Sequence, residues 1–284
     1  MKNLSSIGYG TIFVIATPIG HLDDISKRAI DTLKSVDFIV AEDTRHSKTL
    51  LQAYQINKPM YAMHAHNEQQ KAQSILNRVK EGASIALISD AGTPLISDPG
   101  YPLIQLAHQQ HIPVSPIPGS CALIAALSCA GIPCQQFTFL GFLPHKSEQK
   151  MTLLRQFTQQ GLTLVCYESP HRLLDTLSCI DQLFDQHYHF VLAKELTKAF
   201  ETIRYGTAEQ HRQWLVSDLN HQKGEFVLLF PPMIIEEKDN SETILALLLS
   251  ELPVKQAAHL CAKITGKPKN KLYQLALSLQ NSKN

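Results

Sequence analysis

The chain reads as an α/β protein: two α/β domains followed by a short helical segment. Three features of its 284 residues carry that reading. Short apolar runs rich in β-branched residues alternate with stretches of helical apolar spacing, the pattern of a wound, mainly parallel sheet. The spacing of those runs changes after a Pro/Gly turn near residue 118, and two helical repeats close the chain.

In the first half the predicted strands are 11–16, 37–41, 60–63, 84–88 and 112–117, each bounded by turn-forming residues. Between them, 23–35 places Ile25, Ala29, Leu33 and Val36 on one helical face, and 68–81 does the same with Ala72, Ile75, Leu76 and Val79. "PIPGSCALIAALSCAG" then predicts a turn, an N-cap at Ser120 and an apolar helix to about Ala130, stopped by Gly131 and Pro133. The domain boundary falls here, giving an N-terminal α/β domain over 1–118 and a second over 119–235. The second has predicted strands at 137–142, 162–167, 190–193, 202–205 and 225–230, helices at 146–160 and 171–183, and closing strands suited to antiparallel pairing. After the polar stretch 236–241, Ala257, Leu260, Cys261 and Ile264 repeat the helical spacing, as do Leu272, Leu275, Ala276 and Leu279. Gly266 and Pro268 separate them, so 241–284 reads as a helical hairpin or helix-turn-helix.

Composition narrows the function classes. At 44% hydrophobic and 18% charged residues, the chain buries a substantial core and is not disordered. No apolar run approaches the roughly 20 residues of a membrane helix, and the first is too short for a secretory leader, so a soluble, cytoplasmic protein is expected. Six cysteines without a C-x-x-C pair suggest neither a zinc site nor a disulfide framework, only reduced and mostly buried thiols. Residues 241–284 hold six lysines and two acids, net +4, against −3 for the rest, a basic segment fitted to an anionic polymer or simply to solvent.

The chemistry gathers at strand ends, where wound sheets place their sites. "ATPIGHLDDIS" follows the first strand and offers helix-start amides to an anion or polar ligand, without the glycine pattern of a dinucleotide fold or the lysine of a P-loop. "AEDTRHS" follows the second, with Asp43 a possible helix cap, and "HAHNE" the third, whose His64 and His66 lack a third ligand at metal spacing. "SDAGTPLISDPG" follows the fourth: a tight surface turn or a ligand loop, in which Asp98 is suited to cap the next helix. In the second half "YESPHRL" and "AKELTKAFE" set Glu168, His171, Arg172, Lys194, Glu195, Lys198 and Glu201 beside apolar strands. That density suits either mutual ion pairs or phosphate contacts with a proton-handling group. The residues alone thus describe a two-domain α/β enzyme with a cleft.

In order, "TPIGHLDDIS", "AEDTRHS", "HAHNE", "SDAGTPLISDPG", "PIPGSCA", "GFLP", "YESPHRL", "KELTK" and "GEFVLL" resemble the signature series of the ribosomal RNA small subunit methyltransferase I family, in the tetrapyrrole methylase-like superfamily. The resemblance covers about residues 10–232, and the tail resembles that family's terminal helix-turn-helix. His21 stands where the family usually has Asn, and Lys194 where it usually has Arg. The resemblance implies a class III methyltransferase fold, S-adenosylmethionine as methyl donor, a homodimer, and 2′-O-methylation of a cytidine in the decoding region of 16S rRNA within the small ribosomal subunit. It implies cofactor contacts from Pro18, Ile19, Asp90, Thr93, Ser120, Cys121 and Tyr167. Asp43, Glu68 and Lys194 are the resulting candidates for the ribose proton, while Arg45, His66, His171, Arg172 and Lys198 are candidates for RNA. A glycine-rich first loop, usual with tetrapyrrole substrates, is replaced here by Thr17-Pro18-Ile19-Gly20. The competing readings are a small-molecule methyltransferase of the same superfamily and a non-enzymatic nucleic-acid-binding regulator using the basic tail.

Overall fold

A computed structural model describes residues 8–233 and 240–281. They fall into two compact units that divide after Met233. Most of the polar stretch 236–241 lies outside the described residues.

The first unit opens with a five-stranded sheet. Its strands are β1 (Ile12–Ile15), β2 (Phe38–Ala41), β3 (Met60–Ala62), β4 (Ile85–Ile88) and β5 (Val114–Ile117), in spatial order β3-β2-β4-β1-β5. All neighbours are parallel, with Leu87 of β4 level with Val14 on one side and Val40 on the other. A parallel sheet is covered on both faces, so β2 and β4 are buried at every position. One face packs on α3 (Glu68–Lys80) and α4 (Tyr101–Gln109) through Ala72, Leu76, Leu103 and Ala107. The other packs on α1 (Lys27–Ser35) and α2 (Thr44–Ala53) through Ala29, Leu33 and Leu51.

The second sheet is mixed. It comprises β6 (Phe137–Phe142), β7 (Thr163–Glu168), β8 (Phe190–Lys194), β9 (Thr202–Gly206) and β10 (Phe226–Phe230), in order β6-β7-β10-β8-β9. Only β6 and β7 are parallel; β10 runs antiparallel to both β7 and β8, and β8 to β9, as the closing strands suggested. Phe190, Leu192, Phe226, Leu228 and Phe230 face α6 (Ser147–Thr158), α7 (Leu173–Leu183) and α8 (Ala208–Ser217). The opposite face takes α5 (Ala122–Cys129) and Ile19 from the first loop. Each fully buried Phe or Leu on these faces contributes roughly 1.5–3 kcal/mol.

Several local expectations change. The predicted helix at 23–35 begins at Lys27, behind a 3₁₀ turn at Leu22–Asp24, because Ser26 caps it by accepting the Ala29 amide at 3.1 Å. The N-cap of α5 is Cys121, not Ser120, whose hydroxyl reaches the Asp24 carbonyl at 3.4 Å instead. Gly100, at φ 125°, occupies the N-cap of α4 in place of Asp98. Cys166, Cys179 and Cys261 are buried and Cys121 is half-buried, but Cys129 and Cys134 are exposed.

Among its described residues the second unit holds three helices where two were predicted: α9 (Ser241–Glu251), α10 (Val254–Thr265) and α11 (Lys269–Asn281). They close around Leu245, Ala257, Ala258, Cys261, Leu272 and Ala276. Gly266 ends α10 in the left-handed conformation at φ 69°, as a helix stop requires. Among the described residues no helix is long and apolar enough to cross a membrane.

Candidate active site

In the first sheet, the strand order reverses between β1 and β4, and the loops leaving their carboxyl ends are stitched together there. Thr17 and Gly92 exchange backbone hydrogen bonds, with the Thr17 amide donating at 2.8 Å and the Gly92 amide at 3.1 Å. The Asp43 amide donates to the Asp90 carboxylate at 3.1 Å, and the Asp90 amide donates back to the Glu42 carboxylate. Downstream, Leu95 and Ser97 both hold φ 72°, and the Gly100 amide donates to Glu68 at 2.7 Å. A Cβ on Gly141, in the bulge of β6, would lie 3.3 Å from the Ser97 hydroxyl.

The second half presses its own loop against this corner. Glu195 and Thr197 take φ 52° and 64°, so four of the six described non-glycine residues at positive φ lie in the two loops that face each other. For β-branched Thr197 that conformation is strained, and it persists because the surroundings over-determine it. A Cβ on Gly20 would sit 2.5 Å from the Lys198 side chain and 2.6 Å from the Thr197 hydroxyl, which accepts the His21 amide at 3.1 Å. A Cβ on Gly224 would lie 2.4 Å from the Glu195 carboxyl carbon, on a backbone at φ +97°.

Between these loops lies a cavity of about 430 Å³. Its apolar walls are Ile19, Ile96, Ala122, Leu196, Val227 and the rings of Phe142 and Tyr167, which meet edge to face at 5.6 Å. Glu42, Asp90, Asp98 and Glu225 supply carboxylates, and Thr93 donates its hydroxyl to the Ser120 carbonyl at 3.0 Å. Burial, reinforced by Asp90, pushes the Asp98 carboxyl up to about 6 against the hydrogen bond from Ser89. Burial and the neighbouring Asp90 and Asp98 likewise raise Glu42. Burial raises Tyr167 to about 12, so it stays a neutral phenol, with the Leu123 amide donating to its oxygen. An acidic, half-apolar chamber of this size suits a flat, amphipathic, cationic ligand.

Of the sequence-predicted cofactor residues, Ile19, Asp90, Thr93, Cys121 and Tyr167 line this cavity. Pro18 lines an adjoining one of about 280 Å³ that shares Ile19 and Asp90, while Ser120 lines neither. The three proton-acceptor candidates lie elsewhere. Asp43 caps α2 and chelates Arg45 at 2.9 Å; those hydrogen bonds hold its carboxyl at about 2, which makes it a feeble base. Glu68 latches the Gly100 amide, and Lys194 is buried at the end of β8.

Arg172 is likewise taken up within the protein. It pairs with buried Glu168 at 2.6 Å and donates to the Leu143 carbonyl at 3.0 Å. Glu168 also accepts from the Ser169 amide at 2.7 Å and the Thr176 hydroxyl at 2.6 Å, with buried Lys150 3.5 Å away. Lys198 is held by Glu195 at 2.8 Å and Glu225 at 3.0 Å, whereas Arg45, His66 and His171 are exposed. Sequence reasoning missed Glu42, Asp98, Phe142 and Glu225 as cavity residues, although all four lie in or next to quoted motifs.

Known proteins share this architecture. The family profile "Tetrapyrrole (Corrin/Porphyrin) Methylases" matches residues 11–211, and "RsmI C-terminal HTH domain" matches 236–280. Among solved structures, a cobalt precorrin-4 methyltransferase superposes with a TM-score of 0.60 at 16% identity, over 81% of this chain and 98% of that one. A diphthine synthase gives 0.62 at 11% identity, over 78% and 89%. The fold is that of a tetrapyrrole methylase-type protein. More narrowly, a Pseudomonas aeruginosa protein called "Ribosomal RNA small subunit methyltransferase I" is 49% identical over 95% of this chain and 98% of its own. The Escherichia coli O157:H7 protein of that name is 47% identical over 95% and 96%. The chain therefore belongs to the ribosomal RNA small subunit methyltransferase I family.

Proposed function

We propose that this protein transfers a methyl group from S-adenosylmethionine to the ribose 2′-hydroxyl of a cytidine in the decoding region of 16S rRNA. The small ribosomal subunit is its substrate, and it acts as a homodimer in the cytoplasm. The observation that carries the reading is the acidic, half-apolar cavity at the strand-order reversal of a chain from this family. S-adenosylmethionine is an adenosine with a flat base, joined to a cationic sulfur and to an amino-acid end that carries an ammonium and a carboxylate. Apolar Ile19, Leu196 and Val227 match the first part, and the carboxylates of Glu42 and Asp90 match the positive charges. A uroporphyrin-III C-methyltransferase complexed with S-adenosyl homocysteine shares the fold, with a TM-score of 0.54 at 15% identity over 78% of this chain and 97% of that one.

When bound, the donor supplies an electrophilic methyl. The protein's part is orientation, water exclusion and proton removal. Ile19, Asp90, Thr93, Cys121 and Tyr167 form the cofactor side of the cavity in this reading. Asp98, a cavity carboxylate whose proton affinity lies near neutral pH, replaces Asp43, Glu68 and Lys194 as the group that takes the ribose proton. Exposed Arg45, His66 and His171 remain available to RNA phosphates and bases, and the basic tail adds to them. The boundary at 118/119 is kept as a division between layers, since β5 ends at Ile117 and α5 packs on the second sheet.

Isothermal titration reads S-adenosylmethionine binding that Asp90→Ala weakens; unaltered binding would remove Asp90 from the site. Mass mapping of rRNA from a strain lacking the protein loses one ribose methyl at a decoding-region cytidine. A full complement of methyls there would defeat the substrate assignment and return attention to a small-molecule acceptor.

A further inference from the structure

The smaller cavity, of about 280 Å³, draws its walls from both halves of the first unit. Pro18 and Ser89 come from strand-end loops of the first sheet, His46 and Thr49 from α2, and Lys198 and Glu225 from loops of the second sheet. It shares Ile19, Asp90, Ala91 and Glu225 with the 430 Å³ chamber, so the two spaces adjoin at those residues. Burial grades across it. Pro18, Ser47 and Ser89 are buried and Ile19 is 8% exposed, whereas Leu22 is 43% exposed and His46 and Thr49 are exposed as well. The mouth therefore lies at Leu22, His46 and Thr49, and the inner end abuts the chamber at Ile19 and Asp90.

Little of the lining is free to bond a ligand. The Ser47 hydroxyl donates to the Asp43 carbonyl at 3.0 Å and the Ser89 hydroxyl to the Ala91 carbonyl at 3.4 Å, so both turn back on the chain. The Lys198 ammonium has three donors; Glu195 and Glu225 take two and leave one. The His46 ring makes no hydrogen bond, ion pair or ring contact among the described residues. Sites for drug-sized ligands occupy roughly 300–1,000 Å³. A space just below that range, with an unused flat ring at its mouth and one unused donor in its wall, is matched by a single small heterocycle with a polar edge. A stacked helix cannot enter it, so RNA reaches it only through one nucleotide taken out of the stack.

We propose that this cavity receives the acceptor nucleotide, extruded from the RNA, with its base stacked on the His46 ring and its ribose against the wall shared with the chamber. The inference rests on the RNA-methyltransferase reading above. It adds where the acceptor sits and that it must be unpaired when it enters.

The test uses the full-length protein, small ribosomal subunits from a strain that lacks it, and S-adenosylmethionine labelled in the methyl group. His46→Ala is expected to lower kcat/KM for the subunits roughly 5- to 150-fold, the range of one base stacked on an aromatic ring. His46→Phe keeps a flat face and stays within about threefold of wild type, by the same sequence-tolerant stacking. Thr49→Trp sets an indole in the mouth and abolishes transfer. None of these positions lines the larger chamber, so titrated S-adenosylmethionine affinity stays unchanged in all three variants. Both altered residues are exposed, and the unchanged affinity also shows that each variant is folded. Wild-type kcat/KM in both His46→Ala and Thr49→Trp would overturn the proposal. So would His46→Phe as impaired as His46→Ala, or a parallel loss of S-adenosylmethionine affinity, which marks a merely structural role. If the wild-type protein itself transfers no methyl to these subunits, the proposed function fails and this site with it; transfer that is indifferent to all three variants strikes the site alone.

Discussion

Glu168 offers the sharpest test of how the cavity wall is held. Its carboxylate is 1% exposed and faces buried Lys150 at 3.5 Å and Arg172 at 2.6 Å, with the Thr176 hydroxyl bridging Lys150 at 2.5 Å and Glu168 at 2.6 Å. Glu168→Leu removes the anion and leaves the Lys150 ammonium, 1% exposed, without its counter-charge. Breaking a buried pair from one side costs about 3–5 kcal/mol. At roughly 2–4 °C per kcal/mol for a unit of this size, Tm falls by about 6–20 °C. The double variant Glu168→Leu/Lys150→Met removes both buried charges and recovers much of the loss, because the side chain of Arg172 keeps 16% exposure to water. Thermal denaturation followed by circular dichroism reads both. A single-variant loss below about 1 kcal/mol, or a double variant no more stable than the single, would refute the account. Because Ser169 and Pro170 line the cavity and the Ser169 amide is tied to Glu168, Glu168→Leu also weakens S-adenosylmethionine binding in titration.

Four further outcomes follow from the same geometry. Asp98 accepts a proton only when ionised, so with its carboxyl raised to about 6, kcat/KM for RNA falls as pH drops through about 6; Asp98→Asn abolishes activity while the fold remains. The raised value also means that Asp98's contribution to stability is present below about 4 and is lost as pH rises through about 6. Urea titrations of Asp98→Asn should show a flatter dependence across that window. Gly224→Ala drives a Cβ to 2.4 Å from the Glu195 carboxyl carbon at φ +97°, costing roughly 1–3 kcal/mol in denaturant melts; an unchanged midpoint would contradict the close approach. Removing residues 241–284 takes away a helical unit with its own apolar centre, so S-adenosylmethionine binding persists while affinity for small subunits drops; parallel loss of both would favour a regulator built on the tail.

The strands were legible because buried parallel strands are short, apolar and β-branched: Ile85–Ile88 and Phe226–Phe230 fall within or beside their predicted ranges. The strand-end motifs also named residues that the fold brings together, since Ile19, Asp90 and Thr93 line one cavity. The helix α9 escaped because "TILALLL" is apolar on every side and presents no 3.6-residue stripe. Charge was the harder problem. Arg172 read as an RNA contact or as part of mutual ion pairs, and Lys150, eighteen residues before Glu168, and Thr176, eight after it, complete a closed network with Glu168 and Arg172. Only the packing of α6 and α7 on the sheet reveals that partnership. The raised proton affinity of Asp98 was equally hidden, because it comes from the burial that the folded loop creates.

The position of β10 has a consequence for how the chain is made. It is the last strand of the second sheet to be synthesised, yet it lies at the centre between β7 and β8. Until Phe230 emerges, some 36 residues after Lys194, β7 and β8 each lack their common neighbour. At about 5–20 residues per second that interval is roughly 2–7 s. The nascent chain thus passes through a window in which two apolar strand edges stand open to mispairing. Translation speed and chaperone access over residues 194–230 accordingly become determinants of yield.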